Sequence, residues 1–302
     1  MEITKKEEEV KVVYSGLYRD TTESRVVKIE EGIIEIAENT FRDFEFLEEI
    51  YLPRSLKIIG ASAFAGCKNL KKVNMQDGIV EIRDEAFSSC PSLTSVIMPD
   101  TVTRVGEGAF EACASLSYVK LSESVYMIGA SAFAYCFNLA SIIIPDSCVL
   151  VEFCAFSSCF ALEEVKLSEN MALLDESLFE GCRSLSLVEL PSGLSKIGRR
   201  VFKGCASLKN IILPTTLKSI GYDAFADCSS MAKISLPRDI VELEDEDVFS
   251  GCDSLAEISY GGSREEWELI THGKTISVET GDGAVKTPRV IFLNLKEKRD
   301  EV

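Results

Sequence analysis

Apolar and polar positions along the chain repeat with a single period. A phenylalanine returns at Phe41, Phe64, Phe87, Phe110, Phe133, Phe156, Phe179, Phe202 and Phe225, 23 residues apart each time, and then at Phe249 after 24. Three residues after nine of these ten comes a cysteine, from Cys67 to Cys252, while Phe44 holds that place in the first unit. A Leu or Met follows three residues later (Leu47, Leu70, Met231), an Ile or Val after three more (Ile50, Val73, Val96, Val119), and another apolar residue two positions on (Leu52, Met75, Met98, Leu121). Proline often closes the run, as at Pro53, Pro99 and Pro145, and a glycine recurs later, as at Gly60, Gly106 and Gly129. The Val-x-Leu run alternates with period two and predicts a short strand with one buried face. Proline stops the ladder there because it has no N–H. The stretch Gly60 to Cys67 predicts one helical turn, with Phe64 and Cys67 on the same side. No single unit can bury its apolar face alone, so the units must stack, with parallel strands about 4.8 Å apart.

Register then assigns the outward side chains. If Val73 and Met75 point inward, residues 72 and 74 face out, and the period extends each into a column. One column contains Lys72, Tyr118, Glu164 and Leu187, and the other contains Tyr51, Ile97, Lys120, Ile143, Lys166 and Ile212. Tyr51, Ile97, Tyr118, Lys120, Ile143, Lys166, Leu187 and Ile212 are therefore candidate partner-binding residues, since exposed apolar groups with a polar rim mark interfaces. The competing explanation is that isoleucine favours strands even when exposed. A second candidate patch lies elsewhere. Phe137 and Phe160 follow their cysteines where other units carry Lys68, Ala114, Arg183 or Ser229. Phe153 stands in a column with Ala61, Glu107 and Arg199, and Tyr135 is close by. Aromatics at normally solvated positions point to self-association or a ligand contact. Local repacking around the unit where Glu152 replaces glycine is the alternative.

The pattern divides the chain into a polar lead or cap over residues 1–25, a solenoid of about ten units over 26–260, and a C-terminal cap over 261–302. In the last of these, Ser263 and Glu266 have capping-box spacing. Trp267 is placed to plug the final repeat, Val290 to Leu293 reads as a closing strand, and residues 296–301 as a solvated tail.

Composition narrows the chemistry. The 302 residues include 49 acidic and 32 basic side chains, a formal charge of −17. Such a surface repels phosphate backbones and anionic lipid, which argues against nucleic acid and bare membrane as partners; its main effect is solubility. No window reaches the roughly 20 apolar residues a membrane helix needs, and Met1 to Glu9 lack the apolar core of a secretory signal. His272 is the one histidine, so a positioned general base has few candidates. Carboxylate neighbours such as Glu163 and Glu164, or Asp245 and Asp247, are expected by chance among so many acids. No catalytic residue, cofactor or metal is assigned, since there is no C-x-x-C pair to accompany the lone histidine. Of eleven cysteines, nine share one column, which predicts a ladder of small buried thiols acting as weak S–H donors. Cys148 takes an apolar core position. Cys154 stands where other units have Ser62, Glu85, Ser131 or Asp223, and is a candidate exposed thiol.

The unit running from Phe202-Lys203-Gly204-Cys205 through Leu208, Ile211 and Leu213-Pro214 to Ile220-Gly221 resembles the BspA-like class of leucine-rich repeats, and the likeness covers about residues 26–260. The resemblance implies a right-handed curved solenoid, with a parallel sheet on its concave face and short helical turns and loops opposite. It implies a protein displayed on a microbial cell surface, binding host or neighbouring-cell ligands, with no catalytic residues to carry over. The expectation is a protein–protein interaction or adhesion module whose partner is another protein, with weak homo-oligomerisation as an additional expectation. The alternatives are a cytoplasmic repeat scaffold and a carbohydrate- or cell-wall-binding module; an enzyme ranks last.

Overall fold

The 23-residue spacing of the sequence becomes a stacking vector in three dimensions. The computed structural model describes residues 13–14, 25–244, 246–281 and 283–293. One three- or four-residue strand per unit, Glu49–Tyr51, Lys72–Asn74, Ser95–Ile97, Tyr118–Lys120 and so on to Glu257–Tyr260, lies parallel to its neighbours. Register advances by one repeat per rung: Val27 pairs with Ile50 and Ile50 with Val73, Val96 with Val119, Ile142 with Val165 and Val165 with Val188. The central residue of each strand packs inward and its flanks turn outward, as the alternation requires. This front ladder is divided into runs of three, two, three and three strands. Residues 210–212 are held by a single bridge from Ile212 to Ser235.

A second parallel ladder was not visible in the sequence pattern. Two-residue strands such as Ile58–Ile59, Glu81–Ile82 and Arg104–Val105 form a seven-stranded sheet that begins at Val13–Tyr14 and ends at Leu150–Val151. A four-stranded sheet continues it from Leu173–Leu174 to Glu242–Leu243. The back ladder thus starts upstream of the first legible repeat. The rest of the expected N-terminal lead and the expected polar tail over 296–301 lie outside the described residues.

The last unit has a 3-10 turn over Glu246–Phe249, but before the phenylalanines from Phe41 to Phe225 the expected helical turn is not formed. Alternate N–H groups there bond in two directions. Those of Ala63, Ala65 and Cys67 donate three residues back within the turn, whereas those of Ser62, Phe64 and Gly66 donate to Asp84, Ala86 and Ser88 of the next unit, at 2.8–2.9 Å. A helix would satisfy every N–H internally and leave none for the neighbour. Ser62 at φ 50° and Gly66 at φ 73° provide the left-handed steps that this alternation needs. The recurring Gly60-type glycine serves a different purpose: a Cβ on Gly129 would sit 2.6 Å from the Glu107 nitrogen of the preceding unit. Where Pro is replaced by Ser122 or Ser168, the buried hydroxyl accepts from the N–H two residues on, at 3.0 and 3.1 Å, and so shapes the turn in its place.

Two side-chain ladders fill the interior. The ten phenylalanines from Phe41 to Phe249 are fully buried and stack nearly parallel, with ring centroids 5.0–5.9 Å apart. Beside them, each column thiol donates to the carbonyl of the preceding unit's phenylalanine: Cys67 to Phe41 at 3.0 Å, Cys113 to Phe87 at 3.2 Å, Cys205 to Phe179 at 3.3 Å. All eleven cysteines are free thiols. Burial pushes Cys113 and Cys252 up to about 12, and Cys148, also buried, up to about 11.

At the C-terminal end the helix Arg264–Ile270 begins at Ser263, which accepts from Glu266 N–H while the Glu266 carboxylate accepts from Ser263 N–H. Trp267 is buried against Tyr260, with Phe292 edge-on to it. The strand Arg289–Phe292 adds to Glu257–Tyr260 in parallel and covers the last rung.

Candidate binding surfaces

The front strands place their outward columns as register predicts. Ile97 is 58% exposed, Ile143 65% and Ile212 88%, and Tyr118, Leu187, Lys120 and Lys166 also face solvent. Tyr51 is half-buried; its hydroxyl donates to Glu49 at 2.9 Å, which ties it to the N-terminal end of the face. Lys120 is the rung partner of Ile97, and Lys166 of Ile143. Ile97 and Ile143 therefore do not adjoin; Lys120 lies between them, and the column reads Ile–Lys–Ile–Lys. From Val26 to Ser259 the two columns carry five lysines (28, 72, 120, 166 and 233) and four glutamates (49, 164, 189 and 257), on a chain whose net charge is −17. The acidic excess lies elsewhere on the molecule.

The second predicted patch assembles in part. Phe137 and Phe160 stack with centroids 4.9 Å apart, Tyr135 meets Phe137 edge-on at 6.3 Å, and the Arg183 guanidinium covers the outer face of Phe160 at 4.8 Å. Tyr135 is held at φ 60°, one of the left-handed turn positions. Both faces of Phe160 and one face of Phe137 are thus used within the ladder, while Tyr135 stays exposed. Phe153 is exposed and its ring is not paired with these three.

Cys154, expected as an exposed thiol, is half-buried. It occupies a left-handed turn position at φ 58°, and burial followed by the Glu180 carboxylate pushes its thiol up, so it is not an activated thiolate. His272 is exposed beyond the C-terminal helix. Among the described residues no group of three His, Cys, Asp or Glu converges as a metal site, and no helix is long and apolar enough to cross a membrane.

Sequence reasoning missed an apolar stripe on the back ladder. Tyr126, Val149, Leu150 and Leu173 are exposed where other units carry Lys57, Thr103, Arg104 or Lys196. The stripe lies at the gap between the two back sheets. Ion pairs flank it: Arg83 with Glu35 and Glu81, and Arg104 with Glu81, on one side; Glu244 with Arg199 on the other. The same column comparison that found the front face would have exposed it.

Two parallel ladders that each advance one rung per 23 residues, around a buried phenylalanine spine, define a leucine-rich-repeat solenoid. The chain belongs to the BspA-type leucine-rich-repeat family, whose model matches residues 34–160 and 150–268 in six copies. Among solved structures, a leucine-rich repeat protein from Bacteroides ovatus is 22% identical, with 89% of this chain and 83% of that one covered and a TM-score of 0.58, which supports the fold. A leucine rich cell surface protein from Faecalibacterium prausnitzii is 28% identical over 83% of this chain and 82% of that one, with a TM-score of 0.45. The leucine-rich repeat protein of T. pallidum is 29% identical over 62% and 78%, with a TM-score of 0.47. No curated protein matches the sequence. Leucine-rich-repeat proteins generally bind other proteins, and those of this family are generally non-enzymatic binding modules.

Proposed function

We propose that this chain is a protein-binding module that uses its front face, displayed outside the cell as an adhesion or recognition element. The observation that carries the reading is the front face itself. Two columns hold slightly more lysine than glutamate, together with solvent-facing Ile97, Tyr118 and Ile143, on an otherwise strongly acidic molecule. Strand pairing within each run of rungs and the buried core beneath hold these positions, so a partner meets a largely preorganised surface and little ordering entropy is lost on binding. Family membership supports surface display.

The test is a screen of purified extracellular-matrix and cell-surface proteins by biolayer interferometry, run on the wild-type chain and on a Tyr118→Ala, Ile143→Asp variant. At least one binder is expected, weakened tenfold or more in the variant, about 1.4 kcal/mol. No binder, or equal binding by both proteins, overturns the front-face reading. Protease shaving of intact cells checks location, and recovery of the chain only in the cytosolic fraction favours an intracellular scaffold.

A further inference from the structure

The order of side chains along the front column carries more information than their composition. Ile97, Lys120, Ile143 and Lys166 occupy four successive rungs of one column, apolar and cationic in turn. Neither Lys120 nor Lys166 makes an ion pair among the described residues, although Glu189 is the rung neighbour of Lys166. Several other cations of this chain are paired with carboxylates: Lys71 with Glu48 at 2.8 Å, Arg104 with Glu81 at 2.7 Å, Lys218 with Asp239 at 2.9 Å. Lys120 has only Tyr118, Ser95, Ile97, Ser141 and Ile143 at the outward positions around it, and Lys166 lies beside Glu164 and Glu189 without pairing to either, so an acidic group from outside can meet both ammonium groups, Lys120 above all.

The rung spacing identifies the shape that can deliver such groups in order. Three rung steps span about 14 Å at the usual ~4.8 Å per parallel strand. Three turns of an α-helix span about 16 Å, so a helix laid along the stacking axis with a modest tilt keeps one residue over each rung. Same-side residues of an extended strand fall about 6.6 Å apart and lose phase after one or two rungs. A helix also presents i, i+4, i+7 and i+11 on one stripe, the number of contacts this column offers.

We propose that the front face receives an acidic amphipathic α-helix of another protein, lying across the strands, with apolar residues over Ile97 and Ile143 and carboxylates over Lys120 and Lys166. The proposal rests on the front face being the binding surface and adds the class of partner.

The probe is a synthetic alanine-rich peptide of about 20 residues, long enough to hold a helix, with Leu and Glu alternating at successive turns of one stripe. Its controls are the same peptide with Glu→Lys exchanges and a version broken by two central prolines. Fluorescence anisotropy with the full chain should show the parent peptide binding at least tenfold more tightly than either control. In Lys120→Glu, Lys166→Glu protein, folded by circular dichroism, the preference should reverse toward the lysine peptide. Absence of binding, equal affinity for all three peptides, preference for the proline version, or no reversal overturns the helix assignment. If a protein binder from the screen still depends on Tyr118 and Ile143, only the helix assignment falls. If that binder ignores them, the front-face reading falls as well.

Discussion

Single glycines in this chain have unequal roles, and the difference is physical. At Gly129 an added Cβ would meet backbone atoms of the preceding unit, 2.6 Å from Glu107 N and 2.7 Å from Gly106 C, with no flexible side chain to yield. At Gly193 an added Cβ meets nothing within 4 Å and φ is not in the left-handed region. Gly129→Ala should therefore destabilise by about 1–3 kcal/mol, while Gly193→Ala should be neutral or slightly stabilising through the unfolded chain. Urea unfolding of both variants compares them, and equal midpoints would refute the close-approach explanation. Arg83, Glu152, Asp175 and Glu244 at the same position show that individual rungs do accommodate a side chain. The units of Glu152 and Asp175 border the gap in the back ladder.

At the scale of elements, the terminal helix shows how much a short segment depends on its caps. Seven residues cannot sustain a helix alone. Ser263 and Glu266 satisfy each other's backbone N–H, and Arg238 holds Glu266 at 2.7 Å, anchoring the helix to the previous repeat. Ser263→Ala should cost about 1 kcal/mol, read as a lower Tm; an unchanged Tm would show that Trp267 packing alone fixes the helix. This capping box was legible because Ser-x-x-Glu is a local pattern. The front strands were legible for a similar reason, since Val73-x-Met75 and its repeats alternate over enough residues to set register. The back strands were not, because two residues such as Ile58–Ile59 are too few to display alternation. The turn around most of the phenylalanines was misread as helical because its first left-handed position holds Asn39, Ser62, Glu85, Cys154 and Arg200, with glycine only at Gly108, and its second holds glycine in some units (Gly66, Gly181, Gly204) but Ser89, Ala112 or Tyr135 in others, so no single residue type announces them. The front candidates are outward as register required. Tyr135, Phe137 and Phe160 do meet, whereas Phe153 stands apart because columns tell which residues share a face but not which rings touch.

For the whole molecule, stability is a sum over units and their interfaces rather than the property of one central core. Buried thiols make that sum sensitive to alkali. A free thiol ionises near pH 9, while Cys113 and Cys252 are held at about 12, and burial raises Cys205 and Cys228 in the same direction. Below about pH 9 both folded and unfolded chains are protonated and stability is full. Above it the unfolded chain loses protons that the folded chain keeps, so stability falls as pH rises through the window from 9 to about 12. Each such thiol contributes up to about 1.4 kcal/mol per pH unit. The urea midpoint should hold up to about pH 9 and drop steeply between pH 9 and 11, and a midpoint unchanged at pH 11 would contradict a buried ladder.

The bond from each column thiol to the phenylalanine carbonyl of the unit before it gives the stack a grain: every turn offers an acceptor forwards and sends a donor backwards. Copying one unit in the gene, anywhere in the middle, would leave every donor supplied and every ring with a neighbour on both sides. Such a chain can lengthen or shorten by duplication and deletion without any residue being redesigned. Its reach is open to evolutionary adjustment in whole steps, while the substitutions that distinguish one turn's outward side chains from the next remain free to diverge.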